Sequence, residues 1–269
     1  MSVLVEGHVP STPQRRLGRR TKHGGKGFIK LNAHSAAVLE RRSLFPKKVV
    51  DPEMPRPNPA KQQHYMVGPL KSGHNSTKLG AWVTKGWWKD MPLLYLQLEE
   101  RKTCPPCAHE TDCYANTMQH AKRYRHGPLL ETCIEAQLAM LQKRFPNGFV
   151  VRLHVIGDFY SFDYIQRWVR WLFAYPALRI FGYTAWKPET AMGRIVALLN
   201  KHMRRRWQMR FSNPGVPIHM SAVTVDTAAE GEKLGLFMCP AQTNASECCA
   251  TCTSCWSPHL KKPIGFLRH

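Results

Sequence analysis

The chain has 269 residues, 43% of them hydrophobic, so it can bury a full core as one large domain or as a domain with an appendage. Its 39 Lys and Arg against 18 Asp and Glu leave a net charge of +21, which favours a polyanionic partner, above all nucleic acid. A generic basic surface and an acidic membrane are the alternatives. No stretch approaches the ~20 apolar residues of a membrane span or forms a signal peptide at the N-terminus, so we expect no membrane insertion and a cytoplasmic location.

The first 85 residues are irregular in pattern. We predict that residues 1–85 form a basic, Gly- and Pro-rich arm and linker, followed by an α/β domain over residues 86–269. The segment "PQRRLGRRTKHGGKGFIK" reads as a flexible arm, and "DPEMPRPNPAKQQ" as a linker or extended loop. The arm carries four arginines that we expect to contact phosphates, namely Arg15, Arg16, Arg19 and Arg20.

From residue 92 the pattern becomes regular. It predicts strands over 92–98, 148–159, 178–186, 207–215, 218–226 and 234–240, and helices over 114–124, 129–145, 162–175 and 188–206. Ser161 is a candidate cap of the third helix, and Pro188 suits the first position of the fourth. Alternating strands and helices predict a parallel sheet of about six strands, either a partial (β/α) barrel or an open doubly wound sheet. No G-x-G-x-x-G opens a helix, which disfavours dinucleotide binding.

The nine cysteines are clustered. In a chain without an export signal, such clustering favours metal binding over disulfides. The C-terminal group consists of Cys249, Cys252 and Cys255 at C-x2-C-x2-C spacing, with Cys239 and Pro240 upstream. This arrangement is typical of ferredoxin-type ligation of an iron–sulfur cluster, and tetrahedral zinc is the alternative. Cys248 is expected to be a bystander, because adjacent cysteines seldom both reach one metal.

A second group, in "TCPPCAHETDCYA", follows the first predicted strand. Cys104, Cys107 and Cys113 have C-x2-C-x5-C spacing. Three thiolates leave one iron of a [4Fe–4S] cluster open to a small molecule such as S-adenosylmethionine, or require a fourth ligand. Cys239 could supply that ligand and make one shared site, and His109 is another candidate. One or two clusters are therefore compatible with the sequence, whereas Cys133 is expected to be a core residue.

Residues that follow the strands of a parallel sheet collect at one edge, where functional sites form. Both cysteine groups are expected there, together with Asp158 and Lys187 as catalytic candidates. Asp158 follows a buried strand, so it either caps the next helix or binds a ligand. The run "KHMRRRWQMR" adds Arg204, Arg205 and Arg206, which either complement a helix dipole or contact phosphates.

Several motifs resemble the phage "gene product eighty-eight" family, over roughly residues 92 to 256. They are "CYA" at 113–115, "VRLHVIGDF" at 151–159, "GYT" at 182–184, "CPAQT" at 239–243 and "CTSCW" at 252–256. That family is in turn similar to a reduced form of the radical S-adenosylmethionine enzymes. The resemblance implies a partial barrel in which Cys104, Cys107 and Cys113 hold a cluster and Gly157-Asp158 forms the motif after the second strand. Those enzymes use C-x3-C-x2-C, a spacing that this chain does not have.

Two functional classes follow. One is an enzyme that modifies DNA or RNA by cluster-based, radical-SAM-like chemistry. The other is a non-catalytic DNA-binding protein in which an iron–sulfur cluster or zinc braces the fold. DNA is favoured over RNA as the partner in both.

Overall fold

The computed structural model describes residues 29–57, 66–215 and 218–268, so Arg15, Arg16, Arg19 and Arg20 lie outside the described residues. The helices are α1 (Ala36–Leu39), α2 (Pro128–Arg144), α3 (Phe162–Ala174), α4 (Ala191–His202), α5 (Ala228–Lys233) and α6 (Cys249–Cys252). The strands are β1 (Val49–Val50), β2 (Arg56–Pro57), β3 (Met66–Val67), β4 (Lys71–Ser72), β5 (Leu93–Gln97), β6 (Arg123–Tyr124), β7 (Phe149–Ile156), β8 (Leu178–Thr184), β9 (Trp207–Ser212), β10 (Ser221–Val225), β11 (Phe237–Met238) and β12 (Ile264–Leu267).

An eight-stranded sheet organises the fold, with the order β11-β12-β10-β9-β8-β7-β5-β4. Every neighbouring pair from β5 to β11 is parallel, and β4 joins β5 in the antiparallel direction. The predicted α/β class with a mostly parallel sheet is therefore confirmed. Within the described residues the sheet ends at β4 on one edge and at β11 on the other, so no closed barrel forms.

Alternating side chains bury the two faces of the sheet against different layers. Leu94, Val151 and Ile180 belong to a core cluster that also contains apolar residues of α2, α3 and α4. Leu93, Val150 and Phe181 pack on the other face against Leu79, Val83, Trp88, Cys248, Ala250 and Trp256. The long helices thus cover one face, and the segments around residues 79–88 and 248–256 cover the other.

Most predicted elements from residue 92 onward are present, but two predictions were wrong. The expected helix over 114–124 is a short 3₁₀ turn (Tyr114–Thr117) followed by β6. The buried Arg123 guanidinium accounts for this, because it donates to the carbonyls of Ala115, Met118 and Ala121 and pairs with Glu100 at 2.6 Å. These contacts hold the segment in a non-helical path.

The second wrong prediction is the start of the fourth helix. It begins at Ala191 rather than at Pro188, because the Thr190 hydroxyl accepts a hydrogen bond from the Gly193 amide at 3.1 Å. A threonine that bonds the third amide of a helix is a regular N-cap. Ser161 caps α3 in the same way, through the Tyr164 amide at 3.1 Å, as predicted.

The part of the chain just before residue 86 packs with the sheet. β4 pairs with β5, and Leu79 and Val83 are buried in the same cluster as Phe181. The predicted division at residue 85 stays a prediction. Among the described residues, no helix combines the length and the apolar character that a bilayer crossing requires.

Candidate functional site

A cavity of about 670 Å³ opens at the carboxyl ends of the parallel strands. Its lining includes Cys104, Cys107 and Cys113 after β5, Asp158 after β7, Lys187 after β8 and Asn213 after β9. Parallel strands bring the residues that follow them to one edge of the sheet. The structure therefore places both catalytic candidates and the first cysteine group around one cavity.

The first cysteine group is half-buried, in a loop that two arginines hold. Arg41 donates to the carbonyls of Arg101 and Cys104 at 2.9 and 2.7 Å, and Arg101 donates to the Glu110 carbonyl at 2.9 Å. Burial raises the pKa of the Cys104 thiol well above its usual value, and interactions with Asp158 and Cys113 raise it further. Burial likewise raises the pKa of Cys113 to about 11. The loop thus keeps these thiols protonated unless a cation or a metal compensates the thiolate charge.

His109, the other ligand candidate in this loop, already has partners on both ring nitrogens. Its Nδ1 lies 3.0 Å from Asp112 Oδ1, and its Nε2 lies 2.9 Å from Asn213 Nδ2. These contacts tie the cysteine loop to the end of β9. Metal ligation by His109 would require breaking one of them, so its contacts favour a positioning role.

Asp158 joins the ends of β7 and β8. Its Oδ1 accepts hydrogen bonds from the Phe159 amide at 2.7 Å and the Thr184 hydroxyl at 2.8 Å, and its Oδ2 accepts one from the Ala185 amide at 2.7 Å. Burial raises the pKa of the Asp158 carboxyl to about 7, against the opposing effect of these three donors. The carboxylate is fully engaged by backbone and hydroxyl groups of the two loops, and Ser161 rather than Asp158 caps α3.

Glycine at position 157 is required for this arrangement. Gly157 has a φ of 84°, and a Cβ there would lie 2.6 Å from Thr103 Oγ1 and from Leu98 Cβ. The turn brings the Asp158 amide within 3.2 Å of Thr103 Oγ1. A side chain at position 157 would therefore push the acidic residue away from the cysteine loop.

Lys187 lines the same cavity, and contacts with the start of α4 hold its backbone in place. Its carbonyl accepts hydrogen bonds from the amide and hydroxyl of Thr190, at 3.0 and 2.7 Å. A Cβ on Gly193 would lie 1.9 Å from that carbonyl oxygen, so only glycine allows α4 to approach this closely. The position of Lys187 is thus set by the cap of α4.

His154 lines the cavity from β7 and is 4% exposed. Its Nε2 lies 3.3 Å from the Tyr164 hydroxyl, and its Nδ1 has no hydrogen-bond partner among the described residues. Burial lowers the pKa of His154 to about 3. The side chain is therefore a neutral imidazole at ordinary pH.

This burial predicts acid sensitivity. Between pH 6.5 and about 3 the unfolded chain binds a proton at His154 that the folded chain does not. Stability is therefore complete above pH 6.5 and falls by up to about 1.4 kcal/mol for each pH unit below it. His154→Phe should flatten the fall of the thermal unfolding temperature between pH 7 and pH 5. Equal slopes for the two proteins would contradict a neutral, buried His154.

The C-terminal cysteines form a separate group. Cys239, Cys249, Cys252 and Cys255 line one small cavity of about 10 Å³, and the lining of the large cavity includes none of them. Cys239 interacts electrostatically with Cys249 and Cys255, which places it in this group rather than with the first loop. Cys248 is buried beside them, 3.6 Å from Thr251 Oγ1, and does not line the cavity. The small cavity has no room for a ligand, whereas the large one does, and of these four cysteines Cys252 also lines a separate cavity of about 720 Å³.

The groups around the C-terminal cysteines are cationic. Arg152 and Arg210 are 8% and 1% exposed, and neither pairs with a carboxylate among the described residues. Arg210 Nε donates to the Cys255 carbonyl at 3.1 Å, and the Tyr183 hydroxyl donates to Cys255 Sγ at 2.8 Å. Burial acts to lower the pKa of Arg152, but Cys249, Tyr183, Tyr114 and Cys255 outweigh it and raise that pKa.

An unpaired buried charge is costly, so buried cations are found beside an anion. Thiolates bound to a metal would supply that negative charge next to Arg152 and Arg210, so the charge of the surroundings suits such a group. In the part of the chain that the structure describes, however, no three His, Cys, Asp or Glu side chains form a group that could hold a metal ion. Burial raises the pKa of the Cys255 thiol to about 12, with a further increase from Cys249 and Cys239.

The sequence analysis missed the arginines of the site. Arg152 and Arg210 lie within the apolar strand segments "VVRLHV" and "QMRFS", where a charged residue is out of pattern. That break in pattern is a signal of a functional or paired charge and could have been used. Arg41 and Arg101, in contrast, carry no such signal, because they lie in irregular segments.

Arg204, Arg205 and Arg206, which are predicted to contact phosphates, lie at the opposite end of the sheet from the large cavity. These residues precede β9, whereas the cavity lies beyond its other end, about 20 Å away for a strand of this length. Arg206 donates to the carbonyls of Leu172, Tyr175 and Leu178. Arg204 and Arg205 are exposed, whereas Arg206 is half-buried.

Comparisons with protein-family models, with curated proteins and with solved structures found no match to this chain.

Proposed function

We propose that this chain is an iron–sulfur protein that binds nucleic acid and has a ligand site beside the first cysteine loop. The observation that carries the proposal is the contrast between the two thiol groups. Cys104, Cys107 and Cys113 all border one cavity of about 670 Å³, whereas the cavity that the four C-terminal thiols share is only about 10 Å³, and Cys252 alone among them also lines a separate cavity of about 720 Å³. Functional metal sites keep a position open, and structural ones are closed by the protein.

In this proposal the C-terminal group is the structural site. Cys239, Cys249, Cys252 and Cys255 would hold a [4Fe–4S] cluster with four thiolates, beside the buried charges of Arg152 and Arg210. Zinc is the alternative. A Zn–S bond of about 2.3 Å requires four sulfurs within about 4 Å of one another, and a four-iron core spreads its thiolates more widely. Iron, sulfide and zinc analysis of the purified protein distinguishes the two.

The first group would hold a second cluster through Cys104, Cys107 and Cys113. When bound, such a cluster exchanges single electrons, which is the chemistry that an enzyme of this kind needs. Three thiolates leave one iron without a protein ligand, and the adjoining cavity is within the usual 300–1,000 Å³ range of small-molecule sites. S-adenosylmethionine is the ligand that the family resemblance implies.

The chain's own residues have positioning tasks in this site. Asp158 fixes the loops after β7 and β8 through its three hydrogen bonds, and His109 fixes the cysteine loop against Asn213. Lys187 presents a cation at the rim of the cavity. These groups would orient the ligand in front of the thiols, with Lys187 beside a carboxylate or phosphate group of that ligand.

A partial barrel is the fold that suits this proposal. Strands β5, β7, β8, β9 and β10 neighbour one another in chain order, and the long helices between them pack on one face. A doubly wound sheet would place helices on both faces and reverse its strand order. The non-catalytic alternative, a nucleic-acid-binding protein with a structural cluster only, would be favoured by protein in which the first cysteine loop binds no iron.

Nucleic-acid binding rests on the net charge of +21. We expect log affinity to fall with log salt at about −0.9 per contacted phosphate on duplex DNA and about −0.7 on single strands. Deleting residues 1–26 should flatten this slope, and so should the double change Arg204→Ala and Arg205→Ala. The measurement is a salt titration of affinity on DNA and RNA.

Arg206→Ala is the matched control. Because its guanidinium is engaged by three backbone carbonyls, we expect it to lower stability and leave the salt slope unchanged. Absence of binding to DNA and RNA at low salt would refute the nucleic-acid part of the proposal.

A further inference from the structure

A second cavity, of about 410 Å³, lies beside the large one and has a different character. Four cationic side chains line it, namely Lys71, Lys78, Lys122 and Arg152, together with Tyr95, Tyr114, Asn75, Ser76 and Gln97. No carboxylate is among its described lining residues. A concave surface with cations and neutral donors but no acid has the composition of an anion site.

The positive charges of this cavity are not compensated within the described residues. Lys71 Nζ donates to Gln97 Oε1 at 2.8 Å and to the Lys122 carbonyl at 2.6 Å, which are both neutral acceptors. Arg152 is 8% exposed, and its Nε has no hydrogen-bond partner among the described residues. Partly buried cations without a counterion are unfavourable, and an anion bound beside Lys71 and Lys122 would remove that cost even where C-terminal thiolates balance the charge of Arg152.

Lys71 shows the effect of this crowding. Burial, followed by the nearby charges of Lys122 and Arg123, lowers the pKa of Lys71 to about 7. Its ammonium lies 5.3 and 6.0 Å from the ring centroids of Tyr124 and Tyr95, and these rings replace part of its hydration. A dianionic ligand beside it would favour the charged form of Lys71 and could accept the one ammonium hydrogen that Gln97 and the Lys122 carbonyl leave.

The two cavities adjoin each other, because Lys78, Tyr114, Arg152 and Val155 line both of them. The Lys78 ammonium lies 4.7 Å from the centroid of the Tyr114 ring, so a cation and an aromatic face stand together at the junction. A ligand in the large cavity can thus extend a charged group into the basic one.

We propose that the basic cavity binds a phosphate group of a nucleotide whose base and sugar occupy the large cavity. The inference deepens the proposed function and rests on it for the nucleotide part of the ligand. Phosphate is favoured over a carboxylate because several separated donors converge, and a phosphate offers three or more acceptor oxygens to them. The phosphate can belong to a free nucleotide or to one residue of a nucleic-acid strand.

The test measures binding of four probes to the full chain by calorimetry. They are inorganic phosphate, adenosine, adenosine monophosphate and a short single-stranded DNA. Lys71→Gln and Lys122→Gln should each weaken phosphate-bearing probes roughly tenfold, the loss of about one charge-assisted hydrogen bond. Lys122 is exposed, so its variant should fold even if the Lys71 variant does not. Lys143→Gln, an equal change of charge on α2, should have no effect.

The four probes distinguish the two sources of phosphate. Lysine-dependent binding of the monophosphate, with weaker binding of adenosine that does not depend on the lysines, supports a free nucleotide. Lysine dependence confined to the oligonucleotide supports a phosphate within a strand. Equal binding of every probe to the Lys122 and Lys143 variants, or binding of none of them to the unaltered chain, would overturn the inference. Iron measured on the same samples shows independently whether the proposed clusters are present.

Discussion

Cys252→Ala and Cys255→Ala should each destabilise the protein by more than about 5 kcal/mol and remove the metal of the C-terminal group. The binding free energy of a closed thiolate site is largely folding free energy, on the order of 10 kcal/mol for structural zinc. Cys255 also accepts the Tyr183 hydroxyl at 2.8 Å, and both thiols line the small cavity. The measurements are the thermal unfolding temperature and metal content of anaerobically purified variants.

Cys248→Ala and Cys133→Ala are the matched controls. Cys248 lies in the same segment and is 3% exposed, and Cys133 is fully buried in α2, but neither lines the small cavity. Both should retain the metal and lose packing only, at most a few kcal/mol. The ligand assignment fails if the Cys252 and Cys255 variants keep full metal content.

Asp158→Ala should lower stability by roughly 3 kcal/mol, because it leaves buried donors without an acceptor. The donors are the Phe159 and Ala185 amides and the Thr184 hydroxyl. The loop after β8 should loosen, so hydrogen exchange of the Ala185 amide should become faster. Denaturant unfolding and amide exchange measure the two effects.

Thr184→Val provides the comparison for Asp158. It removes one donor to the carboxylate and keeps the other two, so we expect a loss of about 1 kcal/mol and little change at Ala185. An Asp158→Ala protein with unaltered stability and unaltered Ala185 exchange would show that the carboxylate does not hold the two loops together.

The parallel strands were predictable because their apolar runs are long and bounded by turn residues. The segment "GFVVRLHVIGDF" became β7, and "LRIFGYTAW" contains β8. The residues after these strands, including Asp158 and Lys187, reach the large cavity as the parallel arrangement requires. Local pattern and sheet geometry therefore sufficed for this part of the site.

Other features depend on contacts between distant segments. β12 inserts between β10 and β11, although its segment, "IGFL", is only four residues long. The separation of Cys239 from the first cysteine loop is fixed by the pairing of β11 with β12, which local spacing does not encode. The segment predicted as a helix is a loop, because the buried Arg123 guanidinium donates hydrogen bonds to three of its carbonyls. These contacts outweigh the local helix propensity.

Iron and acid-labile sulfide analysis of anaerobically purified protein tests the central claim most directly. The account predicts brown protein with broad absorbance near about 400 nm, and about four irons and four sulfides for each occupied site. Replacing Cys104, Cys107 and Cys113 should remove the iron and sulfide of the first site and leave the iron and sulfide of the C-terminal group. Colourless protein that contains stoichiometric zinc and cannot be reconstituted with iron and sulfide would contradict the account.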